Sequence, residues 1–161
     1  MKKTIFITGA AKRIGKEIAL CFSEMGWNII IHYNSSKNDA QVLADEINGN
    51  NPDSAITVQG NLDVKEDVEK VINEVRDAFP TIDLLINNAS TFYPTPIEDI
   101  SEEHWDKLVG SNLKGPLFLI KGLKDKLKES KGSIINITDT NLSKGVANYS
   151  IYSAAKACLL Y

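Results

Sequence analysis

Two periods of hydrophobic spacing alternate along the chain. Residues 3–8 (KTIFIT) are a short apolar run that stops at Gly9. Residues 13–25 then carry Ile14, Ile18 and Phe22 four apart, which predicts one face of a helix. Trp27 to Tyr33 (WNIIIHY) is β-branched and apolar and reads as a buried strand. Residues 38–48 set Val42, Leu43 and Ile47 on a helical face, and Ala55 to Val58 is a third strand. Val68, Val71, Ile72, Val75 and Phe79 repeat at helical spacing through 64–79. Ile82 to Ile86 is a fourth strand, and Ser101 can cap a helix with Glu102 and Glu103 in its first turn. A longer helix follows over about 112–129, with Leu117, Ile120 and Leu127 as buried candidates. Ser133 to Ile137 is a fifth strand, and a last helix begins near Tyr149.

Strand followed by helix, five times over, predicts an α/β fold with a doubly wound parallel sheet and helices on both faces. Connections are expected to be right-handed crossovers. Neither an internal repeat nor a linker is visible, and 161 residues suit one domain over 1–161. The Pro-containing stretch 90–98 (STFYPTPIE) is the longest irregular piece. It follows the C-terminal end of a strand, where open α/β sheets bind ligands.

Composition narrows the class. Lys and Arg number 18 against 21 Asp and Glu, a net charge of −3, so no general basic surface for nucleic acid is expected. Hydrophobic residues make up 43% and charged residues 24%, enough apolar material for a core. Cys21 and Cys158 fit no metal spacing and are too few for a disulfide framework. They are expected to be small buried residues in a reducing compartment. No apolar run approaches the ~20 residues that span a bilayer. Gly9, Lys12 and Arg13 interrupt the segment behind the basic start, so the reading is cytoplasmic, with no membrane partner.

Chemistry concentrates at strand ends. After the first strand comes Thr8-Gly9-Ala10-Ala11-Lys12-Arg13-Ile14-Gly15. Gly9 permits a tight turn, Gly15 lets the helix lie close to the strand, and the helix N-terminus offers N–H groups to a pyrophosphate. A plain tight connection would use the same glycines, and the common G-x-G-x-x-G is absent. The second strand ends in His32-Tyr33-Asn34-Ser35-Ser36-Lys37, without the acid that an NAD site places against the ribose 2′-hydroxyl. Its hydroxyls, amides and cation, with Lys12 and Arg13 nearby, suit a 2′-phosphate and favour NADPH. They would equally suit a helix cap and a solvated charge. Tyr152 and Lys156 stand at i and i+4, on one helical face. An ammonium there stabilises a phenolate and lowers the tyrosine pKa from about 10, so the pair can exchange a proton near neutrality.

With these pieces together, the sequence resembles the short-chain dehydrogenase/reductase family. The resemblance rests on TGAAKRIG at 8–15, NNAS at 87–90, Asn112 in GSNLKGP and YSAAK at 152–156. Within the family it most resembles the pteridine reductases. Arg13 replaces the usual middle glycine, the run after strand four is NNASTFYPTP, and Asp139 stands 13 residues before Tyr152 where most members carry a serine. HYNSS at 32–36 looks like their NADPH-selecting segment.

The resemblance implies an NADP-binding Rossmann-like reductase that moves hydride from NADPH to a pterin such as a dihydrobiopterin-like or dihydrofolate-like substrate. Catalysis would use Asn112, Asp139, Tyr152 and Lys156. Tyr152 would donate the proton. Lys156 would lower its pKa and hold the nicotinamide ribose. Asp139 would bond Tyr152, and Asn112 would position Lys156 through a water. The cofactor would contact Gly9, Lys12, Arg13, Ile14 and Gly15, then His32, Tyr33, Asn34, Ser35 and Ser36. It would also contact Asn61, Leu62, Asn88, Ala89, Ser90, Tyr152 and Lys156. Asn61 replaces the usual adenine-binding Asp. Phe92 would stack on the pterin, with Ser90, Arg13, Asp139 and Tyr152 at its rim. A flat heteroaromatic ring does want an aromatic face and polar groups at its edge.

Two alternatives stand beside this. One is an NADPH-dependent reductase of 3-oxoacyl groups or small ketones, against which Asp139 argues. The other is a non-catalytic dinucleotide-binding module. The family fold has two further strands, a further helix and a closing loop, so roughly 80–100 residues are expected beyond position 161. A chain ending there should leave strand five as a bare edge and associate strongly. The resemblance also implies a homotetramer built on the helix near 112–129 and the helix starting near 149.

Overall fold

The computed structural model describes residues 2–160. Five strands, β1 (Thr4–Ile7), β2 (Asn28–Tyr33), β3 (Ala55–Gln59), β4 (Leu84–Asn87) and β5 (Ser133–Asn136), form one sheet in the order β3-β2-β1-β4-β5. Every pairing is parallel. The strand order reverses direction between β1 and β4, so the crevice at their C-terminal ends is the place where such sheets take ligands.

Six α-helices, α1 (Arg13–Glu24), α2 (Lys37–Asn50), α3 (Lys65–Ala78), α4 (Glu102–Val109), α5 (Gly115–Ser130) and α6 (Ser150–Cys158), complete the fold. The period of two in the strands sorts the core into two layers. Ile5, Ile7, Ile29 and Ile31 pack with Ala19, Leu43 and Ile47 of α1 and α2. Phe6, Ile30, Val58 and Leu85 point the other way, onto Val68, Val71 and Val75 of α3 and Leu119 and Leu123 of α5. Each fully buried Ile, Leu or Phe contributes about 1.5–3 kcal/mol.

Several faces differ from those the spacing predicts. α1 buries Gly15, Ala19 and Ser23, while Ile14 is 61% exposed. The small residues win because Gly15 lies directly on the β1 turn, and a larger side chain could not approach so closely. Val42 is also exposed, and so is Leu117, because α5 turns Leu119, Leu123 and Leu127 inward. Cys21 and Cys158 are both exposed rather than buried, each on an outward helical face. β5 is the edge of the sheet among the described residues, and its Ile134 and Ile135 are partly bare.

Ser101 caps α4 as expected, its hydroxyl accepting from His104 N–H at 3.2 Å. The predicted long helix is joined to α4 without a break. Between them Gly110–Lys114 form one wide π turn, closed by Gly115 N–H donating to Gly110 C=O. Pro116 follows immediately, and its missing N–H leaves the Asn112 carbonyl without the usual helical donor. The wide turn carries Asn112 into the interior.

Candidate active site

The turn after β1 is built around close contacts. Gly9 has φ +63°, and a Cβ on Gly15 would lie 2.6 Å from the Gly9 carbonyl oxygen. Thr8 Oγ1 accepts from the Asn88 and Ala89 N–H groups, both at 2.9 Å, and joins this turn to the end of β4. Asn88 returns the tie, its Nδ2 donating to the Thr8 carbonyl at 2.8 Å and the Gly9 carbonyl at 3.1 Å. Arg13, at φ +53°, starts α1 and stands exposed at the mouth. The first backbone bond of the helix is Lys16 N–H to the Lys12 carbonyl. The N–H groups of the first turn ahead of it are therefore left for an anionic ligand. A Cβ at Gly15 would collide with the Gly9 carbonyl, Asn88 Nδ2 and Ala10 Cα, so glycine lets α1 start this close to the turn, and the free N–H groups are a set that suits a pyrophosphate.

A cleft of about 410 Å³ runs from this turn to α6. Gly9, Lys12, Arg13, Ile14, Gly15, Asn88, Ala89 and Ser90 line one side, and Tyr152 and Lys156 the other. A neighbouring hollow is lined by Lys12, Ser35, Ser36, Lys37 and Asp39. Lys12 Nζ lies 3.0 Å from Asp39 Oδ2, so a carboxylate does stand near the expected 2′-phosphate position, one helical turn later than an NAD-type acid. Asn34 is exposed beside them and lends its carbonyl to Gln59.

At the other end the Tyr152 hydroxyl donates to Asp139 Oδ2 at 2.9 Å. Asp139 Oδ1 accepts from Asn141 N–H at 2.7 Å, capping a short 3₁₀ turn at Thr140–Ser143. Those bonds hold the Asp139 carboxyl below the usual carboxylate range. Burial first, and then the Asp139 carboxylate, push Tyr152 up to about 12. The net shift is upward, and Lys156 is not among its causes. Lys156 Nζ donates to the Ile137 carbonyl at 2.9 Å, and burial lowers its own pKa against the pull of Asp139. Tyr152 is held as a phenol whose O–H points at Asp139.

Other expected residues are committed to the protein itself. His32 is buried with both ring nitrogens bonded, to Gly9 N–H at 3.1 Å and the Gly60 carbonyl at 3.0 Å. Tyr33 and Leu62 are core side chains. All three side chains are buried against the protein. Asn61 Oδ1 accepts from Asp63 N–H at 3.1 Å, which leaves its amide group to face a ligand. Asn112 donates to the Thr91 and Leu108 carbonyls and accepts from the Ser90 hydroxyl at 2.8 Å. Asn112 thereby fixes the Ser90–Thr91 wall, and it makes no direct bond to Lys156.

Phe92 is 56% exposed and stacks on Tyr149, centroids 4.4 Å apart and planes 14° from parallel. Its edge meets Tyr152 at 4.8 Å. Tyr149 was not among the expected site residues, although its place three before Tyr152 puts both rings on one helical side. Thr8 and Gly60 were missed for another reason. Their partners lie far along the chain, and no local spacing reveals them.

A doubly wound parallel sheet with a Tyr–Lys pair opposite a glycine turn defines one class of protein. Residues 3–160 match the short chain dehydrogenase family. The chain belongs to that family. It is 33% identical over 158 residues to the 3-oxoacyl-(acyl-carrier-protein) reductase FabG of Staphylococcus aureus, covering 98% of this chain and 64% of that protein. It is 31% identical over 159 residues to an NAD-dependent glycerol dehydrogenase of Listeria innocua, covering 98% and 61%. It is 32% identical over 193 aligned positions to pteridine reductase 1 of Leishmania tarentolae, covering 95% and 66%. The chain thus spans about two-thirds of the length of these relatives.

Proposed function

We propose that residues 1–161 belong to an NADPH-dependent reductase of a pterin. The observation that carries this reading is the Tyr152–Asp139 bond at 2.9 Å beside the Phe92 and Tyr149 rings. The resemblance implies that 3-oxoacyl and ketone reduction in this family uses a hydroxyl side chain where Asp139 stands. A pterin ring gains from both an aromatic slab and a carboxylate at its rim. NADPH supplies a hydride when bound. It would be held at the turn by the first-turn N–H groups of α1, at its 2′-phosphate by Lys12, Ser35 and Ser36, and at its nicotinamide ribose by Lys156.

The residues of this chain supply the proton. Tyr152 is held as the phenol, its pKa raised by burial and then by the Asp139 carboxylate. For reduction, its O–H turns from Asp139 Oδ2 to a ring nitrogen of the substrate as hydride reaches the adjoining carbon. Asp139 then stabilises the reorganised rim and helps the phenol to be reprotonated from solvent. Phe92 covers one side of the ring, and Tyr149 must yield its present stack or extend it.

The test is NADPH consumption with dihydrobiopterin, dihydrofolate and a 3-oxoacyl thioester in parallel. Pterin turnover with little thioester turnover supports the reading, and the reverse replaces it. The 3-oxoacyl reading has its own support. The alignment with that relative runs over 158 positions for nearly the whole chain, whereas the pteridine reductase alignment stretches to 193. Cofactor binding without any turnover would support a binding module instead. Replacing NADPH by NADH in the same assay tests the 2′-phosphate hollow, which Asp39 opposes unless Lys12 is drawn to the phosphate. A homotetramer built on α5 and α6 is part of the same proposal. Leu117 and Phe118 stand exposed on α5 in its support, and sedimentation at several concentrations checks it.

A further inference from the structure

His32 is the point where three strand ends meet. Its ring sits at the C-terminal end of β2, edge-on to Phe6 at 6.4 Å and fully buried. The Gly9 N–H is a donor and nothing else, so the Nδ1 that receives it must carry a lone pair. The proton therefore sits on Nε2, which donates to the Gly60 carbonyl. The main chain of the same residue accepts from Ala10 N–H at 2.9 Å, and the next residue, Tyr33, accepts from Gly60 N–H at 3.1 Å. One imidazole thus joins residues 23 positions upstream and 28 positions downstream. The imidazole takes the Gly9 donor and the His32 main chain takes the Ala10 donor, so the free N–H groups are those at the start of α1.

We infer that His32 is a positioning residue for the dinucleotide, a spacer that sets the gap between the Gly9 turn and the Gly60–Asn61 loop without touching the ligand. This rests on the reading of the turn as a pyrophosphate cradle. A dinucleotide bridges both loops at once, so fixing their separation beforehand removes an ordering cost that would otherwise weaken binding. Burial lowers the His32 pKa to about 4, so the neutral tautomer this bridge requires is the one present near neutrality.

The variants separate the two bonds. His32→Asn keeps an acceptor near the Nδ1 position and loses the Gly60 bond. His32→Gln keeps a donor near the Nε2 position and loses the Gly9 bond. His32→Phe fills the space and makes neither. The readout is the NADPH dissociation constant, followed by NADPH fluorescence below the lowest Tm of the set, where each protein is folded. His32→Phe is expected to weaken binding about tenfold, and the two amides about threefold each. If His32→Phe does not fold, the two amides carry the test by the same threefold loss. A histidine with a purely structural role lowers Tm but leaves the dissociation constant of the folded protein unchanged, and that result overturns the proposal. Equal losses in all three variants overturn it too, because the bonds would then not matter. Failure of the unaltered protein to bind either NADPH or NADH overturns the dinucleotide reading itself, and the spacer with it.

Discussion

The two ends of the cleft are built differently. Around the β1 turn, Thr8, Asn88 and His32 each bond across the sheet, and the side chains named there have partners. Around the aromatic wall, the Tyr93 hydroxyl, Thr95 Oγ1 and His104 Nδ1 are buried without a hydrogen-bond partner. Phe92 and Tyr149 stack on each other, and Asn148 sits in the left-handed region at φ +65°. The side chains Thr8, Asn88 and His32 are tied down at the turn, and its free donors are the backbone N–H groups at the start of α1. The wall retains unused polar capacity and rings that can part. Rigid recognition of a shared cofactor and adaptable recognition of a particular substrate call for that division.

The sharpest test of the contrast is Tyr152→Phe. It removes the one acidic O–H at the junction, and turnover of the substrate should fall by about 10²–10⁴. Steady-state assays check this, and retained activity would move the proton donor elsewhere.

A second test strikes the turn end of the cleft through acid. Unfolded His32 titrates near 6.5 and the folded residue near 4. Between those values the unfolded chain binds the extra proton, so stability present above pH 6.5 is lost as pH falls toward 4. The loss reaches about 3 kcal/mol at most. Urea midpoints at several pH values measure it, and His32→Phe should flatten that part of the slope. An equal slope in the variant would assign the effect to carboxylates.

A smaller effect is expected at the junction itself. Asp139→Asn removes one of the causes that raise Tyr152, so its pKa should drop from about 12 toward the ordinary 10. Ultraviolet titration of the tyrosinate reads this directly. No movement would leave burial as the whole cause. Smallest of all is Thr95→Val, which deletes a buried hydroxyl that bonds nothing while keeping the shape. Stability should hold or rise by up to about 1 kcal/mol. A thermal melt checks it. Substrate affinity that falls at unchanged Tm would show that the hydroxyl serves the ligand.

Local spacing made the elements and the glycine turn legible. Runs such as NIIIHY and IDLLI read as strands buried on both sides, and Tyr152 with Lys156 declares itself at i, i+4. Spacing failed where closeness of approach overrode hydrophobicity. Gly15, Ala19 and Ser23 displaced Ile14 from the sheet side of α1, which no hydropathy rule anticipates. It failed again where a side chain is spent on remote backbone. His32 reads as a ligand contact beside Ser35 and Ser36 until Gly9 and Gly60 are seen on either side of it. The resemblance implies the Asp139–Tyr152 bond, and the structure contains it. The spacing reveals the lysine, but not that the Ile137 carbonyl holds it.

The wide turn at Gly110–Lys114 also bears on how this chain tolerates change in length. A π turn is an α-helix with one residue too many, held because its neighbours have adapted to the surplus. Deleting Ser111 would remove the surplus residue and leave Pro116 as the one interruption between Glu102 and Ser130. It would also swing one half about 100° against the other, since each residue advances the helix by that angle. Asn112 would leave the Thr91 and Leu108 carbonyls, and the Ser90 hydroxyl would lose its acceptor. The more regular helix would be the poorer one for this protein. A single-codon deletion in this stretch would therefore cost more than the one residue it removes.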